Sequence, residues 1–154
     1  MASLKELLSQ KSKASLMQVI DRGDVIRLRL TEQEGVTPKN PGDEARNKYF
    51  VVLGKTADGH LIGFVLINTH INDNLSSRLK SLHYPISPSK YPFLGTTRFV
   101  FCGELKEISV DIFADRYKCE SFGKIADDDM ELIVEAVVQS GNVPPKQLKK
   151  FGLL

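Results

Sequence analysis

Only two cysteines, Cys102 and Cys119, occur in 154 residues. That is too few for the disulfide framework of a small secreted domain, and they lack the close spacing of a zinc site. A reducing cytoplasm is the compartment they imply. Nowhere does the chain hold the roughly 20 consecutive apolar residues that a membrane-spanning helix needs. The opening MASLKELLSQKSKASLMQVI interrupts its apolar residues with Lys5, Glu6, Lys11 and Lys13, unlike a signal peptide. No membrane association is expected. Excess charge is also missing: 21 Lys and Arg face 19 Asp and Glu, a net +2, so nucleic-acid binding must rest on a local patch rather than on bulk charge. Internal repeats and low-complexity tracts are absent, which sets aside solenoids and disordered chains. What is present is 42% apolar residues, the composition of one globular domain with one core.

The order of elements follows from period and punctuation. Ser3 and Glu6 have capping-box spacing, and Leu4, Leu7 and Leu8 give one apolar side, so residues 4–20 are expected to be helical, as an N-terminal extension over 1–22. VIRLRL then alternates as a half-exposed strand. Residues 31–47, with Gly35, Pro38, Pro41 and Gly42, read as a long loop, a length that is often functional. KYFVVLGKTADGHLIGFVLI reads as a hairpin around Asp58-Gly59. Further strands are expected at Leu82 to Ile86, Thr97 to Cys102 and Leu105 to Val110. Met130, Ile133, Val134, Val137 and Val138 then form the stripe of a helix packed on a sheet, with Gly141 as its stop. Asp127, Asp128 and Asp129 crowd that helix's start; helix-end electrostatics explains them more cheaply than a metal site. Residues 141–154 form a basic tail with a short helix from Pro145. The pattern as a whole is α+β, a small twisted antiparallel sheet or partly open barrel in a single domain over 1–154.

One stretch stands out. GFVLINTHINDN, residues 63–74, begins as a buried strand and turns abruptly polar. Either a core strand exits into a solvated turn, or a rigid element presents hydroxyl and amide groups to a ligand.

Several stretches, in this order, resemble the MazF/PemK/Kid family of bacterial toxin endoribonucleases. GDVIRLRL at 23–30 resembles that family's opening strand, KYFVVLG at 48–54 its second strand, and GFVLINTHI its third strand, which ends in a functional Thr. RFVFCGELKEIS at 98–109 and FGKIADDDMELIVEAV at 122–137 resemble its later strand pair and the lead into its C-terminal helix. The resemblance covers about 23–140 and implies an SH3-like barrel with a terminal helix over that span. It further implies a homodimer that cleaves single-stranded RNA without a metal or other cofactor and is held in check by an antitoxin protein. In that chemistry the ribose 2′-OH attacks the adjacent phosphorus, so a base, a cation and a hydroxyl donor suffice.

Carried over residue by residue, the resemblance puts the family Thr on Thr69, as donor to a phosphate oxygen, and the family Arg on Lys48. The loop carboxylate falls on Asp43 or Glu44. Lys lacks the planar fork of Arg, which makes Arg46 the alternative cation. The usual Pro after the Arg is Tyr49, a base-stacking platform or a plain strand aromatic. Asn68 and His70 flank Thr69; His70 alternates to the opposite strand face and is assigned to RNA contact rather than proton transfer. Lys39, Lys55, Arg78 and Lys80 complete an RNA-binding set if the fold makes them converge, and are otherwise solvated surface. Glu104 stands where the family has Gln. That departure, with Lys48 and the N-terminal extension, supports an alternative: the same barrel binding a peptide or nucleic acid without cutting it.

Overall fold

Apolar residues at alternate positions make β1 (Asp24–Thr31), and the two runs flanking Asp58-Gly59 make β2 (Ala45–Lys55) and β3 (Leu61–Asn68). A computed structural model describes residues 20–31, 45–117 and 121–154. The three strands pair antiparallel, with Leu28 opposite Lys48 and Tyr49 opposite Ile67. At the hairpin Gly59 takes φ 75°, and the Asp58 side chain accepts from Thr56 Oγ1 at 2.6 Å and the His60 amide at 3.0 Å. Both faces are covered along Phe50–Leu53 of β2 and Ile62–Val65 of β3, so these runs are nearly continuously apolar. Val25, Val51, Leu53, Val65 and Ile67 face one core. Ile26, Leu28, Leu30, Phe50, Val52, Ile62 and Phe64 face the other.

β3 divides its free edge. Leu61 to Phe64 pair with β6 (Lys106–Ser109), while Ile67 and Asn68 pair with β5 (Arg98–Phe101), beyond which lies β4 (His83–Ile86). With β7 (Ser121–Lys124) beside β1, the antiparallel sheet curls into a half-barrel. The first core lies under α3 (Asp127–Gln139) and α4 (Pro145–Lys150). The second is closed by α2 (Val110–Arg116), whose Phe113 meets Phe50 edge-on at 6.5 Å.

The α3 stripe forms as the spacing requires: Met130, Ile133 and Val137 are buried, and Gly141 at φ 73° follows the helix end. Other expectations shift. The loop read at 31–47 is shorter, because Thr31 pairs with Ala45 and Arg29 with Asn47. The strand ending at Val110 instead ends at Ser109, whose hydroxyl accepts from the Ile112 amide at 3.2 Å and starts α2. A five-residue α1 (Ser77–Ser81) precedes β4. Of the expected N-terminal helix, all but Ile20, which is buried in the second core, lies outside the described residues, as does Cys119. Cys102 is buried, and burial pushes its thiol up to about 12. Among the described residues, no helix is long and apolar enough to cross a membrane.

Candidate functional site

The β2–β3 register decides what meets at the polar end of β3. Since Tyr49 lies opposite Ile67, Lys48 falls opposite Asn68, and the Lys48 Nζ donates to Asn68 Oδ1 at 2.8 Å. The predicted cation and the residue just before Thr69 are thus held side by side. β3 ends at Asn68. Thr69 and His70 are exposed in the bend beyond it, where strand alternation no longer applies, and Thr69 Oγ1 lies 3.2 Å from His70 Nδ1. The expectation that these two side chains face apart is therefore corrected. Asn72 shapes the turn itself, its Oδ1 accepting from the Asn74 amide at 2.9 Å.

Tyr49 is not a bare platform. The Arg98 guanidinium lies 4.8 Å from its ring centroid and that of Arg27 5.7 Å, so the ring organises two cations rather than offering an open face. Arg98 Nε donates to the Leu94 carbonyl at 3.2 Å. Neither guanidinium has a carboxylate partner among the described residues. Arg27 and Arg29, alternate residues of β1, are both exposed. Sequence reading missed Arg27 and Arg98, because Arg98 reaches Tyr49 from a distant strand; the alternation of VIRLRL was the only signal for Arg27.

Lys55 and Arg78 do not join this corner. Lys55 ends β2 seven residues beyond Lys48, about 23 Å away at a strand's rise per residue. Arg78 Nη2 donates to the Ser140 carbonyl at 2.6 Å and to Asn142 Oδ1 at 2.7 Å, tying α1 to the end of α3. Lys80 is half-buried on α1. Glu104 pairs with Lys106 Nζ at 2.9 Å, and Lys106 lies opposite Phe64, well back along β3. Arg46 lies on β2 opposite Leu30. Lys39, Asp43 and Glu44 lie outside the described residues.

A second polar cluster has no sequence signal at all. Asp129 accepts from Tyr84 OH at 2.6 Å and from Tyr91 OH, and meets Lys90 Nζ at 3.0 Å; Lys90 also pairs with Asp128 at 2.7 Å. Asp128 and Asp129 are thus spent on partners within the fold. Among the described residues, no three His, Cys, Asp or Glu side chains are grouped to hold a metal. Burial alone would raise the Asp129 carboxyl, but the hydrogen bonds from Tyr84, Tyr91 and Lys90 outweigh it and hold it below its ordinary 3.8. Asp128 is lowered by its hydrogen bond from Lys90. Burial, then the bond to Asp129, push each tyrosine up from 10.0 to about 12.

The sign of the pH dependence follows. The lowered carboxyls add stability that is full above about pH 4 and drains as pH falls through their folded values. The raised tyrosines add stability that is full below pH 10.0 and is lost as pH climbs towards 12. A plot of melting midpoint against pH is expected to show a plateau between these limits. Asp129→Asn should cost about 1–3 kcal/mol of stability at the plateau, lowering the midpoint there, and flatten the acid limb. An acid limb of unchanged depth in this variant would remove Asp129 from the account.

Comparison with protein-family models gives no match, and comparison with curated proteins gives none.

Proposed function

We propose that the chain is a toxin-type, metal-independent endoribonuclease acting on single-stranded RNA at the β2–β3 corner, an SH3-like barrel enzyme whose groove an antitoxin peptide blocks. The observation that carries the reading is the Lys48–Asn68 hydrogen bond of 2.8 Å, which fixes an ammonium against the strand end that leads into Thr69 and His70. The Arg27–Tyr49–Arg98 stack supports it, because two guanidiniums gathered on one ring without a carboxylate partner among the described residues suit a polyanion.

The reaction needs little else. With its hydrogen on Nδ1, His70 donates to Thr69 Oγ1, which leaves the Nε2 lone pair to accept a proton and the Thr69 hydroxyl hydrogen to point at a phosphate oxygen. The 2′-oxygen then bonds to phosphorus while its proton passes to His70. The bond from phosphorus to the 5′-oxygen breaks, and that oxygen takes a proton from solvent. Lys48 offsets the charge gathering on the phosphoryl oxygens. In this account His70 has the base role that the resemblance gives to Asp43 or Glu44.

The expected result is that purified protein with a long single-stranded RNA and excess EDTA yields discrete fragments ending in 2′,3′-cyclic phosphate and 5′-OH. RNA left intact across varied sequences would end the enzymatic reading. A second reading, RNA binding without cleavage, is favoured by one observation: in this geometry the Lys48 ammonium is already spent on Asn68. Salt-sensitive RNA binding without fragments would select it.

A further inference from the structure

At the end of β1 away from Lys48, beside α3, lies a groove of about 670 Å³. Its floor is apolar: Met130, Val134 and Val138, spaced at four-residue intervals along α3, with Leu153 from the C-terminal tail. Val134 and Val138 are half-buried, although they extend the helix's apolar stripe. The rim is acidic. Glu131 and Glu135 project beside the valines, exposed and without an ion-pair partner among the described residues, and Asp21 and Asp127 continue the negative edge. Of the two cations in the lining, Arg22 is turned inward, its Nε donating to the Leu53 carbonyl at 2.6 Å and its Nη2 to the Gly152 carbonyl at 3.4 Å. Arg22 and Lys124 together still leave the four carboxylates of the lining in excess.

Like charges at i and i+4 cost a helix a few tenths of a kcal/mol. Here that cost sits next to apolar surface left partly uncovered on the same helix. The geometry points to a docking groove for a basic amphipathic helix of a partner protein, whose apolar residues at i, i+3/i+4 and i+7 lie on Met130, Val134, Val138 and Leu153 while flanking Lys or Arg meet Glu131 and Glu135. The chemistry commits the partner to positive charge: an acidic helix would face the same rim with repulsion, and an uncharged one would leave the carboxylates unmatched. Arg22, on the groove wall, precedes Leu28 by six residues, and Leu28 pairs with Lys48. The groove is thus a site separate from the proposed RNA corner, and it stands whether or not RNA is cut.

The probe is a fluorescein-labelled 18-residue designed peptide with leucines at helical spacing and lysines on both flanks, titrated against the full chain by anisotropy. Two controls accompany it, the same peptide with every lysine replaced by glutamate and a composition-matched scramble. Saturable binding of the basic helix is expected, at least tenfold tighter than either control. It should weaken at least tenfold in Val134→Glu. In Glu131→Lys with Glu135→Lys, at two exposed positions, the preference should reverse to the acidic peptide. Far-UV circular dichroism and melting check that the variants fold. Equal affinity for all three peptides, an affinity unmoved by the double charge reversal, or displacement by RNA would overturn the proposal. So would sedimentation showing a dimer that Val134→Glu dissociates, because that result gives the groove to a second copy of the chain.

Discussion

Phe151→Ala should cost about 3–5 kcal/mol of folding stability, read from urea denaturation, because it empties a slot that the sheet was shaped to hold. Phe151 is 2% exposed and closes the first core. Its seat is made by two glycines opposite each other, Gly54 on β2 and Gly63 on β3, next to a register irregularity after Val52. A Cβ at Gly63 would lie 2.8 Å from the Phe151 ring, and one at Gly54 would lie 2.3 Å from its backbone oxygen. The chain behind the ring is fixed as well. Leu153 N donates to Leu148 O at 2.9 Å and Gly152 N to Lys149 O at 3.1 Å, with Gly152 at φ 74°, the pattern that ends α4 in a left-handed cap. Gly63→Ala alone should therefore cost about 1–3 kcal/mol through overpacking. In the Phe151→Ala background the added methyl has space, so the two changes together should cost clearly less than their sum. An additive double mutant would mean that Gly63 is not there for the ring.

That slot also shows where sequence reading reaches its limit. Gly54 and Gly63 each sit within a β-rich run, and nothing local says that a phenylalanine near the C-terminus needs both to lack a side chain. The hairpin itself was legible, because Asp58-Gly59 fixes the turn and the apolar runs on either side fix the partners. With the hairpin comes the Lys48–Asn68 pairing, a matter of register alone. α3 was legible from a strong stripe and a glycine stop. α2 was not: its cue is a single Ser109 cap inside KEISVDIF, which begins as an alternating strand. β7 pairs with β1 over three positions and contains Gly123, too little for a local signal. The Asp129 cluster joins side chains 38 and 45 residues apart, a distance over which no spacing rule operates. The facing of His70 relative to Thr69 was misread for a different reason: alternation was extended two residues past the end of the strand at Asn68. An SH3-like barrel is what the resemblance implies; the structure shows a curled antiparallel half-barrel sheet with helices on both faces.

His70→Ala should lower the single-turnover rate of RNA cleavage by about 10²–10⁴-fold, the usual worth of a positioned proton carrier, while leaving RNA affinity within a few-fold of the parent. Thr69→Val should remove about 10²–10³-fold from the same step, as loss of one donor to a developing oxyanion does, again with little change in affinity. Arg27→Ala with Arg98→Ala should behave oppositely, weakening binding and reducing its salt dependence while saturating RNA restores most of the rate. This separation follows from the geometry. Thr69 and His70 touch each other at 3.2 Å on an exposed bend, whereas the two arginines are held on Tyr49 at 4.8 and 5.7 Å. Lys48→Ala belongs between the two groups, because in the proposed mechanism its ammonium both attracts the phosphate and offsets charge in the transition state. A cleavage rate indifferent to His70→Ala but abolished by Asp43→Ala with Glu44→Ala would hand the base to the loop carboxylates and leave His70 as an RNA contact only. An affinity lost in parallel with rate in Thr69→Val would make the corner a binding surface rather than a catalytic one.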